Sequence, residues 1–394
     1  MMLKNLFDKI FEVVETPERK TFRFLFLKFS LKTISDNRPC VVVVDAGGIG
    51  DYMFNRPYFK YLTQCEKFKG CKFIYVGMAH YADMTTSYDD EYFSEVIPYD
   101  TKLYHKSYFY RQNILKNINR NNVIAVINLR CFVHGNNDFK NRAHIVKNIK
   151  CKDKYIGIVS VNKNLSEKHT KRYEKVYNHI FYSKDLVFES EGRRRFFEYI
   201  LETPIPHEFD KITPIYDYTK KHIAISISAS MKERIYPYEK WVEIINAITD
   251  KIDSNTEILF LGTAKEKETI NNIISKLKHP QYCNNVAGKL PISIIPTLLA
   301  SCEFLISVET GTVHIAQSVN CKTVCICQGE YWGRYQPYKN ENIIYVYPKE
   351  FRDFIKNATE DELIAFYKYN TTFNIADIEQ QDIIDAAAMF MNRV

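Results

Sequence analysis

Apolar residues in this chain come in short runs that stop at polar, glycine-bearing turns, and helical periodicity follows most of them. Residues 40–44, CVVVV, are a continuous run, as expected of a strand buried on both faces. The run ends in Asp45-Ala46-Gly47-Gly48-Ile49-Gly50-Asp51, and a helical pattern starts near Tyr52 and passes through Phe59 and Leu62. Further strands are predicted at 73–76, 95–97 and 123–129, the last trailed by Arg130, His134, Asn136 and Asn137. Residues 160–200 are charged and aromatic and predict helix, with Arg193-Arg194-Arg195 on a solvated face.

The alternation halts at Thr203-Pro204-Ile205-Pro206 and Thr213-Pro214, a proline-marked linker, and then restarts. A strand at 222–227 leads through a turn holding Lys232 and Arg234 to Pro237, placed at the start of an amphipathic helix over 238–248. A strand at 257–261 ends in Gly262-Thr263-Ala264-Lys265-Glu266, and Val286-Ala287-Gly288 precedes a helix over 292–300. The clearest unit comes next. An apolar run at 304–306 stops at Ser307-Val308-Glu309-Thr310-Gly311-Thr312, a helix follows over 313–319, and a second run over 323–327 ends in Gln328-Gly329. That βαβ turn offers hydroxyls, a glycine and a helix N-terminus, whose unpaired N–H groups and partial positive charge suit phosphate.

Two successive βα arrays predict an α/β fold of two Rossmann-like domains facing across a cleft. The expected limits are 37–207 and 208–350, with a helical tail over 351–394 and a basic, amphipathic extension over 1–36. In that extension Phe22, Phe24, Leu25, Phe26, Leu27, Phe29 and Leu31 are interleaved with Lys20, Arg23, Lys28 and Lys32. One or two helices are expected there, packed on the protein or lying on anionic lipid.

At 394 residues the chain has ample length for two cores, and 46% hydrophobic with 26% charged residues is the balance of a soluble globular protein. The net charge of +7 is spread along the chain, too diffusely to argue a nucleic-acid partner; an anionic substrate and an anionic membrane face fit it equally. The ten cysteines form no CxxC pair and several sit inside apolar runs, so reduced, buried thiols are expected and no metal site. Asp89-Asp90 is read as surface rather than as a metal-binding pair. No signal-peptide pattern opens the chain, and no run approaches the roughly 18 apolar residues of a membrane span. A cytoplasmic location is expected, with peripheral contact on the inner membrane face left open.

Five blocks now carry a resemblance. Gly50-Asp51 is followed by Pro57; Arg234-Ile235-Tyr236-Pro237 by Trp241; Asn285-Val286-Ala287-Gly288 by a Leu/Ile-rich helix. Glu309-Thr310-Gly311-Thr312-Val313-His314-Ile315-Ala316 and, more loosely, residues 329–337 complete the set. In order and spacing the chain resembles the heptosyltransferase group, glycosyltransferase family 9, with a GT-B fold. Two residues depart from the family pattern: Glu309 stands for an aspartate and Tyr236 for a tryptophan.

The resemblance implies inverting transfer of a sugar, heptose from ADP-heptose, to a lipopolysaccharide or related lipid-linked or surface-glycan acceptor, with no cofactor or metal. It implies Asp51 as general base and Arg234 as the cation facing the leaving diphosphate. Donor contacts fall to Gly48, Gly50, Lys232, Glu266, Glu309, Thr310, Gly311, Thr312 and His314, and acceptor contacts to Arg130 and His134. A nucleotide-sugar epimerase or hydrolase, and a non-catalytic nucleotide- or glycan-binding subunit, are the alternatives on the same scaffold.

Overall fold

The computed structural model describes all residues except 1–10, 17–18, 25–26, 33–35, 130–142, 160–166, 184–186, 216–220, 370–372 and 392–394. The chain divides into two compact units, Met1–Glu208 and Phe209–Val394.

In the first unit, six parallel strands form one sheet: β4 (Cys40–Asp45), β5 (Lys72–Met78), β6 (Glu95–Tyr99), β7 (Val123–Asn128), β8 (Asp153–Val159) and β9 (His179–Ser183). Their order is β6-β5-β4-β7-β8-β9. Central β4 is buried along its whole length, which is why its sequence is an unbroken apolar run closed by one aspartate. In the second unit, β10 (His222–Ser226), β11 (Glu257–Leu261), β12 (Cys283–Asn285), β13 (Cys302–Val308), β14 (Thr323–Ile326) and β15 (Ile343–Val346) repeat the arrangement as β12-β11-β10-β13-β14-β15. Each sheet thus grows outward from its first strand in one direction and then the other. The strand order reverses between β4 and β7, and again between β10 and β13, opening a crevice at the carboxyl edge where such sheets bind ligands.

The paired α/β fold class expected from the sequence is borne out. Three features differ in detail. Where the extension is described it forms strands instead of the expected helices: β1 (Phe11–Thr16), β2 (Arg19–Phe24) and β3 (Leu27–Lys32) form an antiparallel sheet. Its register sets Val13 opposite Phe22, Phe22 opposite Phe29 and Phe24 opposite Leu27. The physical reason is in the spacing, since Leu27-Lys28-Phe29-Ser30-Leu31-Lys32 alternates with the period of two that suits a strand. Strand β9 interrupts the region 160–200 expected to be helical, pairing with β8 from Tyr155↔His179 to Val159↔Ser183. The helical tail is not separate either. Its last helix, Gln380–Met391, sends Ile383, Ala386, Ala387 and Phe390 into the same core as β10 and β13.

Tyr236 explains itself in this core. It is fully buried, lies edge-on to Trp241 at 6.1 Å, and its hydroxyl donates to the Ile378 carbonyl at 2.8 Å. The block that contains it ties the turn after β10 to the chain's last segment.

Candidate active site

In the second unit the polar turns after β10, β13 and β14 meet at the carboxyl edge, on either side of the strand-order reversal. The turn after β10 is a single 3-10 turn, Lys232–Arg234. Arg234 lies over the Tyr331 ring at 4.4 Å, with Nη1 3.7 Å from Glu309 Oε1 and Nε 3.6 Å from Glu330 Oε2. Those separations give charge attraction without a hydrogen bond. Arg234 Nε is buried and has no hydrogen-bond partner among the described residues. A guanidinium held between two carboxylates with a donor unspent is suited to an anionic ligand that completes it.

Glu309 and Glu330 are 5% and 6% exposed, so their surroundings and not solvent set their behaviour. The Gln336 amide donates to Glu309 Oε2 at 2.7 Å, and its own oxygen accepts from the Cys327 thiol at 2.9 Å and the Tyr347 hydroxyl at 3.3 Å. Gln328 donates to Glu330 Oε2 at 3.2 Å. Burial pushes the Glu309 carboxyl up to about 7; Arg234 and the Gln336 amide pull against that and the Glu330 charge adds to it. The contacts of Glu309 are therefore with Arg234 and Gln336, inside the protein.

Two residues beyond Glu309, the helix Gly311–Ser318 begins, and the side chain of its N-cap Thr310 makes no capping bond. The first-turn N–H groups of such a helix point out along its axis, as a phosphate site requires. His314 lies in the second turn, its Nδ1 2.7 Å from the Tyr338 hydroxyl. Thr310, Gly311, Thr312 and Arg234 are thus gathered at one edge with Glu309 behind them. Lys232 is exposed on the same turn as Arg234. Glu266 instead serves its own turn, accepting from Thr263 N at 2.7 Å and Thr263 Oγ1 at 2.5 Å. Gly288, at φ +71°, passes so close to that turn that a Cβ would sit 2.8 Å from Ala264 Cα.

In the first unit, the turn after β4 is organised by two carboxylates. Asp45, fully buried, accepts from Gly47 N at 3.1 Å, Asn55 at 2.9 Å and the Tyr75 hydroxyl at 3.0 Å. Burial raises its carboxyl pKa, and the neighbouring Asp51 charge raises it further. Asp51 heads the helix Ile49–Asn55 and accepts from Gly48 N at 2.9 Å, a capping-box contact. A Cβ at Gly47 would fall 2.6 Å from Asp51 Cβ, so only glycine lets the carboxylate occupy this place. Its other oxygen meets Arg193 Nη2 at 2.8 Å.

Arg193 overturns the solvated-face reading of the triple arginine. It is fully buried, and its Nη2 lies 2.6 Å from Glu189 as well, while Nη1 donates to the Leu129 carbonyl. It joins the ends of β4 and β7 across the reversal in strand order. Arg194 and Arg195 do remain nearer the surface, both paired with Glu191. The signal available in the sequence was the apolar face of the helix Glu189–Leu201: Phe196, Phe197 and Ile200 follow Arg193 at three, four and seven positions. Asp89 was likewise misplaced at the surface. It is buried and holds Arg56 Nε at 2.8 Å and the Tyr52 hydroxyl. Glu330, Tyr331 and Gln336 lay inside the loosely matching loop and carried no individual signal. Arg130 and His134 lie outside the described residues.

Residues 193–362 match the model of glycosyltransferase family 9 (heptosyltransferase). The family 9 segment takes in Arg193, the Arg234 turn and the Glu309–His314 block, and the resemblance is borne out there. Lipopolysaccharide heptosyltransferase 2 of Escherichia coli strain K12 is 26% identical over 93 residues, 23% of this chain and 26% of that protein. The chain thus matches only about a quarter of the length of that curated relative. In fold, a family 9 glycosyl transferase from Veillonella parvula superposes with a TM-score of 0.67 at 14% identity, covering 92% of this chain and 99% of that one. The ADP-heptose lipopolysaccharide heptosyltransferase II of E. coli gives 0.63 at 14% identity over 90% and 98%. The family 9 likeness thus rests in sequence on residues 193–362 and extends as fold over most of the chain.

Proposed function

We propose that the protein is an inverting glycosyltransferase that moves heptose from ADP-heptose onto a lipopolysaccharide or related lipid-linked glycan. The observation that carries the reading is Arg234, held between Glu309 and Glu330 with Nε unpartnered, beside a helix N-terminus in the family 9 segment. A nucleoside diphosphate supplies acceptor oxygens for the unspent Arg234 Nε donor and for the N–H groups of the helix N-terminus. The leaving diphosphate takes the electron pair of the anomeric C–O bond as that bond breaks, and Arg234 with the Gly311 helix terminus stabilises the developing charge, with no metal assigned to the step.

Asp51 is the proposed base. As the acceptor oxygen bonds to the anomeric carbon from the face opposite the leaving group, its proton passes to the Asp51 carboxylate. Arg193 and Gly48 N–H fix that carboxylate in orientation. Arg130 and His134 keep their proposed place at the acceptor, and Lys232 and His314 theirs at the donor. A lipid-linked acceptor also implies peripheral contact with the membrane face.

The test is a mass-traced reaction with ADP-heptose, UDP-, GDP- and CMP-sugars, with and without chelator, alongside thermal shifts for each nucleotide. ADP-heptose should give the largest shift and a transferred heptose, undiminished by chelator. Conversion of the donor with no acceptor present would instead indicate an epimerase or hydrolase.

A further inference from the structure

The first unit carries a surface that neither the Arg234 site nor the Asp51 cluster uses. Two consecutive helices, Thr101–Lys106 and Tyr108–Asn119, meet at Ser107. Ser107 N–H donates to the Leu103 carbonyl at 2.8 Å, and its Oγ caps the second helix at Tyr110 N, 3.2 Å away. Tyr104, Ile114, Leu115 and Ile118 fill the inner side and belong to the core. The corner turns the opposite way. Leu103, Tyr108 and Phe109 are 48%, 60% and 83% exposed, and Phe109 is the most exposed large apolar side chain among the described residues. The core is already filled without them, so their apolar area does not serve this fold.

The charges carried by the two helices themselves are of one sign. Lys102, Lys106 and Lys116 are exposed on the same two helices, and no acidic residue occurs between positions 101 and 137. The flanking acids are engaged: Asp100 accepts from Leu103 N at 2.8 Å, and Glu95 pairs with Arg120 at 2.8 Å. Arg111 lies 5.7 Å from the Tyr108 ring centre.

We propose that this corner docks the protein on an anionic bilayer, the three apolar side chains entering the headgroup region while the lysines meet lipid phosphates. Exposed aromatic and aliphatic side chains set among lysines are the composition of an interfacial anchor. A protein interface tends to exclude lysine from its centre, and a second copy of this chain would set like charges face to face. The inference rests on this surface and not on the identity of the sugar transferred.

The experiment uses the full chain in flotation with vesicles of phosphatidylcholine alone and of phosphatidylcholine and phosphatidylglycerol in equal amounts. The protein should float with the anionic vesicles only, and be released at high salt. Replacing Lys102, Lys106 and Lys116 by glutamine should lower partitioning on the order of a hundredfold, at about fivefold per lysine. The combined Leu103→Ser, Tyr108→Ser and Phe109→Ser variant should float at least about tenfold less well on the same vesicles. Melting temperature should be unchanged in both, because the residues are exposed, and ADP binding should persist. A variant lacking residues 1–36 should still float. Undiminished flotation of the corner variants, loss of flotation only when 1–36 are removed, or a change of oligomeric state in the corner variants by sedimentation would each overturn the proposal.

Discussion

Replacing Glu309 by glutamine isolates the buried charge on which the Arg234 site is built. The carboxyl stands at about 7 against an ordinary 4.5, raised first by burial. A group whose folded pKa exceeds its unfolded value binds its proton more tightly in the native state. The stability it gives the protein is therefore fully present below 4.5, falls as pH rises from 4.5 towards 7, and is gone above that. A difference of that size amounts to about 3 kcal/mol. Glutamine keeps the shape and does not titrate. Urea unfolding of both proteins at a series of pH values gives the difference between them, in which all other titrations cancel. The wild type should lose about 3 kcal/mol relative to Glu309→Gln across that window. The same carboxyl should respond to ligand: a diphosphate beside Arg234 brings negative charge near Glu309 and favours its protonated form. ADP binding near neutral pH should then take up protons, seen calorimetrically as a buffer-dependent enthalpy, and the uptake should vanish in Glu309→Gln. Parallel stability curves, together with equal proton uptake, would refute the reasoning.

The remaining predictions concern the two carboxyl-edge turns. Asp51→Asn should lower turnover by about 10²–10⁴-fold with ADP affinity kept, read by steady-state kinetics and calorimetry; near-normal turnover removes Asp51 as the base. Gly47→Ala should depress turnover similarly without changing ADP binding, because its Cβ would come 2.6 Å from Asp51 Cβ and displace the carboxylate. Arg234→Lys keeps the charge but loses the planar fork and the face over Tyr331, so ADP affinity should fall about tenfold; unchanged affinity would make Arg234 structural.

What the sequence by itself determined was local. Residues 40–44 and 304–306 read as buried strands, each closed by a polar, glycine-bearing turn and a helical pattern, so two βα arrays and the positions of Asp51 and Gly311 were legible. The period of two in 27–32 was also present, although the aromatic and basic content suggested an amphipathic helix, packed on the protein or lying on lipid. The tertiary structure decided which charges meet. Arg193 reaches Asp51 from 142 positions away, and Glu309, Gln336 and Arg234 come together from three separate turns. A run of three arginines looks the same in sequence whether solvated or buried, because the difference lies in which helix face packs and what carboxylate waits beneath it. Periodicity records the burial of apolar side chains one element at a time; the pairing of buried charges depends on strand order, and strand order exists only in the folded sheet.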